Sequence, residues 1–153
     1  MVEEGNSVFV AVNYTETRKF ILDELKTACS IHGGQDEMER RGNIDSFQRD
    51  DARVIVGIIQ ACREGLNLHD LNGNYPRAAL IMPSPSVFDL KQVLGRVHRS
   101  GGKSKSLQYI VYAAGVGIEE SICEKLDTKL KRLDVLADGE IDPTISLAPK
   151  EVA

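Results

Sequence analysis

Tryptophan is absent from the 153 residues, and four tyrosines and four phenylalanines are the only aromatic side chains. That scarcity argues against a stacking platform for single-stranded bases, which needs successive aromatic faces. The three cysteines, Cys29, Cys62 and Cys123, are far apart, odd in number and without a C-x-x-C pair. They read as free thiols of a reducing compartment, not as a disulfide framework. His32, His69 and His98 are equally scattered, with no metal-ligand spacing, so no metal site is expected. No apolar run approaches the length of a membrane span and no signal peptide opens the chain, which makes a cytoplasmic or nuclear location the expectation. A basic excess is missing as well: 19 Lys and Arg stand against 23 Asp and Glu, a net charge of −4. This excludes a generally basic coat but not a local groove, because phosphate contacts need only a few well-placed donors.

What remains is ordinary for one globular domain with a sizeable core: 42% hydrophobic and 27% charged residues. Strand-like and helix-like segments alternate. "SVFVAVN" (7–13) reads as a buried strand, followed by a helix capped by Thr15 and running to about Ala28, with Phe20, Ile21 and Leu25 as its apolar side. "CSIHGG" (29–34) is a short strand ending in a glycine turn. Residues 36–50 read as a helix weakened at Gly42 that buries Met38, Ile44 and Phe47. "RVIVGII" (53–59), "AALIM" (78–82) and "SLQYIVYAA" (106–114) are further strands. A long helix over about 118–136 carries Ile118, Ile122, Leu126, Leu130, Leu133 and Leu136 at helical spacing, acids first and bases last, in keeping with the helix dipole. The domain is expected to cover 1–137, and 138–153 to be a linker or tail. Strands alternating with helices in this way predict an α/β fold, a parallel sheet covered on both faces, with ligands at the carboxyl ends of the strands.

The most telling stretch is "QVLGRVHRSGGKS" (92–104). Its Gly-Lys-Ser ending imitates a phosphate-cradling loop, yet position 97, five before Gly102, is valine where that loop requires glycine. The front half carries more. Ser86 opens a helix, with Asp89 three residues on in capping-box spacing. At about 100° per residue, Val87, Leu90, Val93, Leu94 and Val97 form one buried stripe. Gln92, Arg96 and Arg99 then share a wedge of about 60° beside it. Gly95 inside that helix costs about 1 kcal/mol unless something packs closely on it. Two guanidiniums and an amide thus leave one side of an anchored helix; for an isolated arginine pair the reading is a solvated face, and Gly95 counts against it.

Four blocks in order resemble the C-terminal RecA-like domain of superfamily 2 helicases and translocases, closest to the Swi/Snf-type branch. "VFVAVNYTETRKFILDEL" is similar to motif IV, and "IHGGQDEMERRGNIDSFQRDDARVIVGI" to the His-Gly turn, the Glu-Arg helix and the strand after it. "ACREGLNLHDL" resembles motif V and "QVLGRVHRSG" motif VI, while "VYAAGVGIEESICEKLDTKLKRLDVLADGEI" looks like the strand and helix that follow motif VI. The resemblance implies an ATP-hydrolysing motor whose second half closes over the nucleotide. Arg99 would be the arginine finger on the γ-phosphate, with Arg96 beside it and Gln92 positioning water or sensing the other domain. Gly65 and Asn67 would meet the nucleotide, the latter at the ribose; Glu64 would couple nucleotide to nucleic acid, and Gly95 would let the backbone come close. Asn13, Tyr14 and Thr15, with His32, Gly33, Gly34, Gln60 and Ala61, would contact the sugar-phosphate backbone. Motif V departs from the family where Ile58 and Ile59 replace the usual early hydroxyl.

The chain carries no G-x-x-x-x-G-K-[ST] loop and no Asp-Glu acid pair in a matching context. By the same resemblance it is expected to be inactive alone, with ATP and Mg²⁺ held mainly by an N-terminal RecA-like domain of the same polypeptide. Nucleic acid is the expected partner, DNA ahead of RNA, with no membrane partner. The alternative reading is a non-catalytic nucleic-acid- or protein-binding module on the same fold.

Overall fold

The structure, a computed structural model, describes residues 1–63, 65–112, 117, 121–126 and 128. Its centre is a five-stranded, wholly parallel sheet in the order β2-β3-β1-β4-β5. The strands are β1 (Ser7–Val12), β2 (Ser30–Ile31), β3 (Val54–Ile58), β4 (Arg77–Ile81) and β5 (Leu107–Ile110). The helices are α1 (Thr15–Leu25), α2 (Glu37–Gln48) and α3 (Val87–Leu94), and a short 3₁₀ turn, Ile59–Cys62, follows β3. Val8 pairs with both Val54 and Ala78, and Ala78 with Leu107, so β1 is central and all strands point the same way. Their carboxyl ends therefore meet at one edge, as the alternating pattern requires.

The two faces of the sheet are packed differently. Phe9 and Ala11 of β1, Ile31 of β2, Ile55 of β3 and Ile81 of β4 share a core with Phe47 of α2 and with Leu90 and Val93 of α3. Gly57 is glycine because the 3₁₀ turn lies directly on it: a Cβ there would collide with the Cys62 sulfur and approach Phe9 to 3.1 Å. On the other face α1 packs through Arg18, which is buried and donates to the Ser30 hydroxyl at 3.0 Å.

Several local expectations are corrected. Thr15 is the first residue of α1, not its cap; Tyr14 stands at the cap position and offers no side-chain hydrogen bond. The helix ends at Leu25, short of Ala28, because Lys26 turns into the left-handed region at φ 49°. Phe20 is 65% exposed, since at about 100° per residue it lies on the side opposite the buried Arg18; Leu25 is exposed as well. In α2, capped by Asp36 through the Glu39 N–H, Phe47 is fully buried and Ile44 packs on the core, but Met38, in the first turn, points to solvent. Helix α2 continues through Gly42, where open space would admit a side chain. β2 is only two residues long and β5 four, shorter than 29–34 and 106–114. β5 is an edge strand with exposed Leu107 and Tyr109.

Most of the expected long helix, and the proposed boundary near 137, lie outside the described residues. Ser121–Leu126 are helical, with Leu126 in the core and Ile122 against it.

Candidate functional site

The nominated residues fall into two regions. The first lies along the carboxyl edge. Because β1, β3 and β4 end together, Asn13 and Tyr14, then Gln60, then Ser84 come to line one groove, with Asp89 of α3 and Ile122. Asn13 donates through Nδ2 to the Pro83 carbonyl at 2.7 Å, tying the β1 end to the β4 end. Tyr14 is 63% exposed, and Thr15 and Gln60 are exposed; Ala61 is half-buried. With Tyr14 supplying no cap, the first N–H groups of α1 are open to an outside acceptor. At the neighbouring β2 end, His32 turns back on the Gly33 carbonyl at 3.0 Å while its main-chain N–H donates to Gln35. Gly34 has φ 95°, the left-handed conformation that a tight turn assigns to glycine.

The second region is a corner made by the loop after the 3₁₀ turn and the end of α3. Here the helix is shorter than expected. Ser86 caps it, accepting from the Asp89 N–H at 3.2 Å, and the whole stripe Val87, Leu90, Val93, Leu94 and Val97 is buried. It stops at Leu94, however, with Gly95 as its cap. Gly95 is thus terminal rather than internal, and a Cβ on it would make only ordinary contacts, 3.6 and 3.7 Å from helix carbonyls. Arg96 and Arg99 leave from the turns beyond the helix and not from its face.

The two arginines still converge with Gln92, by a different route. Arg96 is buried, and its guanidinium donates to the main-chain carbonyls of Cys62 (3.2 Å), Leu66 (3.4 Å) and Arg63, and to Gln92 Oε1 (3.0 Å). Its own carbonyl accepts from the Leu68 N–H at 3.0 Å. Arg99 is exposed and donates to the Gly95 and Leu66 carbonyls, each at 3.3 Å. Opposite them stand Gly65, at φ 68° with open space around it, and the half-buried Asn67. Glu64 lies outside the described residues. An exposed guanidinium beside an open glycine backbone and a tethered amide has the donor chemistry that a nucleotide's phosphates and ribose require.

Four further residues, not singled out from the sequence, hold the corner. Gln48, at the end of α2, donates to the Asn67 carbonyl, and His69 Nδ1 contacts Asn67 Oδ1 at 2.5 Å. Arg40 of α2 donates to the Ala61 carbonyl at 2.7 Å, and Arg63 pairs with Asp89 at 3.1 Å. The 3₁₀ turn is thereby gripped from α2 and α3 and joins the two regions. Gln48 and Arg40 lie in the Glu-Arg and Phe-Gln block, so the family pattern held their only signal.

Titration follows the packing. Burial pushes the Cys62 thiol up to about 12 against the smaller opposing pull of Arg40 and Arg96, and burial pushes Cys29 up to about 11. Neither is poised as a nucleophile. Burial, with Arg99 and Arg77 nearby, lowers His69, and Asp70 only partly opposes it. Burial alone would raise Asp70, but the Ser104 hydroxyl, the N–H groups of Gly73 and Asn72 and the Arg77 charge outweigh it and hold the carboxyl low.

This arrangement has known counterparts. The model of the helicase conserved C-terminal domain matches residues 1–101. A protein of Acanthamoeba polyphaga mimivirus, named as an ATP-dependent RNA helicase, is 37% identical over 141 residues, 92% of this chain. The chain spans 26% of that relative's length. Among solved structures, the C-terminal part of the Fun30 ATPase domain superposes with a TM-score of 0.65 at 21% identity, over 82% of this chain and 40% of that one. The E. coli DEAD-box protein SrmB, bound to the regulator of ribonuclease activity A, gives 0.62 at 16% identity, over 82% and 71% of the two chains. At those identities the structural likeness is one of fold, which is the RecA-like sheet expected from the sequence. With the match running from β1 through the arginine turns, this chain belongs to the helicase conserved C-terminal domain family of superfamily 2 helicases.

Proposed function

We propose that this chain is the second motor half of an ATP-dependent helicase or nucleic-acid translocase, completed by an N-terminal RecA-like domain that binds ATP and Mg²⁺. The observation that carries the reading is the contrast between the two arginines. Arg96 is buried and engaged in holding the corner, whereas Arg99 is exposed beside it and, among the described residues, bonded to two carbonyls at 3.3 Å. That is the arrangement of a movable cation on a fixed mount.

ATP would supply the phosphoryl group and the energy of its transfer. Arg99 would offset negative charge on the γ-phosphate, Arg96 and Gln92 would fix the turn from which it reaches out, and Gly65 and Asn67 would face the nucleotide. Phosphoryl transfer depends on positioning and on stabilising spread-out charge, which is what such a mount provides. The carboxyl-edge groove would follow a sugar-phosphate backbone through the Asn13 and Gln60 amides, the open N–H groups of α1 and the His32–Gly34 turn. Neutral donors of this kind grip phosphate without reading sequence. The Swi/Snf-type branch, and with it DNA ahead of RNA, rests on motif resemblance alone; the mimivirus relative's name points to RNA.

The test is ATP turnover by the parent protein carrying Arg99→Ala, with and without DNA or RNA. A fall of about 10³-fold or more, with ATP binding retained, is expected from known finger systems. Unchanged turnover would remove the finger and favour a binding module. The polymer that stimulates the unmodified protein decides between DNA and RNA.

A further inference from the structure

Asn67 is tethered in this corner through both its main chain and its side chain. Its main-chain carbonyl accepts from Gln48, its side-chain oxygen meets His69 Nδ1, and both flanking residues are pinned by Arg96, Leu66 through its carbonyl and Leu68 through its N–H. A free asparagine amide rotates and offers either end to a ligand. Here the oxygen faces the imidazole; an amide oxygen only accepts, so in this arrangement Nδ1 carries the hydrogen and the NH₂ end is the donor that remains. An NH₂ group donates two hydrogens and suits an acceptor oxygen such as a ribose hydroxyl.

His69 is itself fixed. Its ring is buried, and the turn containing Gly102 lies against its edge. That turn is tied to the same loop by the Lys103 N–H donating to the Asp70 carbonyl at 2.9 Å. The adjacent Asp70 carboxylate is held by the N–H groups of Asn72 and Gly73 at 3.1 and 2.8 Å. The charged groups around the ring are Arg99, Arg77 and Asp70, and burial together with the two arginines favours the neutral imidazole. A neutral ring donates one hydrogen to Asn67 without repelling the neighbouring Arg99.

We propose that His69 is a positioning residue that orients the Asn67 carboxamide, so that its NH₂ group is presented to the ribose of the bound nucleotide. This deepens the nucleotide-facing reading of Asn67 and rests on it. His69 touches no substrate; it acts through Asn67. The same geometry makes Gln48 its counterpart on the main chain.

The experiment is equilibrium binding of ATP, 2′-deoxy-ATP and 3′-deoxy-ATP to the parent protein. It compares the unmodified protein with His69→Ala, His69→Phe, His69→Asn, Asn67→Ala and the double variant His69→Ala with Asn67→Ala. One aligned hydrogen bond is worth about fivefold to tenfold in affinity. The unmodified protein should therefore prefer ATP to one deoxy analogue by about that factor. His69→Ala and Asn67→Ala should each lose the preference, and the double variant should lose no more than either alone. His69→Asn, whose amide nitrogen replaces Nδ1, should retain most of it. His69→Phe keeps the ring's volume but not its donor and should behave like alanine, which guards against a folding defect in His69→Ala. Retained preference in His69→Phe, with loss in Asn67→Ala, overturns the role of His69 alone. A general affinity loss in His69→Ala and His69→Phe that leaves the preference intact also overturns it, by showing His69 to be a packing residue. A preference unaffected by Asn67→Ala overturns the ribose reading and the inference with it.

Discussion

In the corner, Arg96 is buried under four acceptors from the 3₁₀ turn, the loop and α3; at the carboxyl edge, Asn13 directs a single amide to Pro83 and leaves its neighbours exposed. The first region concentrates positive charge and fixes it. The second is built from neutral groups, and its one acid among the described residues, Asp89, is already paired with Arg63. A cation that must meet a developing charge is most effective when its surroundings are organised beforehand. Under the proposed function, neutral donors of this kind would position a polymer's phosphates without reading its sequence. The 3₁₀ turn between them is held rigidly, so the two kinds of site share one mount.

Five changes would break or sharpen this contrast. The largest expected effect is at Arg96. Arg96→Ala strands the Cys62 and Arg63 carbonyls at about 1–3 kcal/mol each, for a total of at least about 2 kcal/mol, so denaturant unfolding should shift markedly and turnover fall with it. Arg99→Ala, at an exposed site, should leave stability within about 0.5 kcal/mol while abolishing turnover. Equal stability losses in the two variants would erase the distinction between mount and finger.

Next comes Gly57→Ala, which forces a methyl into the Cys62 sulfur and the Phe9 ring. Overpacking of this kind costs about 1–3 kcal/mol. Because it displaces the shared turn, nucleic-acid affinity and ATP turnover should decline together; a defect in only one of them would show the regions to be independent. Asn13→Ala should weaken nucleic-acid binding by a few-fold, the worth of about 1 kcal/mol. It should leave both polymer-independent turnover and the salt dependence of binding unchanged, since no cation is removed. A shallower salt slope would refute the neutral-groove description.

The smallest effect concerns acid. His69 is lowered in the folded state by burial and by Arg99 and Arg77, so below the ordinary value of 6.5 the unfolded chain binds the extra proton first. Unfolding free energy should therefore fall as pH drops through and below 6.5, and His69→Asn should remove that part of the slope. The Asp70 contribution has its own window: its carboxyl is held low, so its stabilisation is present above 3.8 and lost as pH falls further.

Much of this was legible in the sequence where one principle acted alone. The α3 stripe from Val87 to Val97 is buried throughout, because hydrophobic periodicity and the Ser86 cap agree. β1, β3 and β4 lie within a residue or so of their apolar runs for the same reason. The failures came where tertiary contacts overrode the local pattern. Arg18 turns α1 by finding Ser30, which no reading of apolar spacing anticipates, and Phe20 is left outside. Gly95 ends its helix, so the wedge containing Gln92, Arg96 and Arg99 was the right grouping reached through the wrong geometry. Gln48, Arg63 and His69 lie 19, 26 and two residues from the groups they hold, and contacts of that kind have no periodic signature.

The Leu66 carbonyl oxygen accepts from both Arg96 and Arg99. A carbonyl has two lone pairs and is satisfied by one donor. Were Arg99 to swing away toward a ligand, Arg96 would remain on Leu66 and no buried acceptor would be orphaned. Departure then forfeits weak, half-exposed bonds and incurs no desolvation penalty. Under the proposed function, the shared oxygen would serve as a parking place that the cation could leave and regain at low free energy.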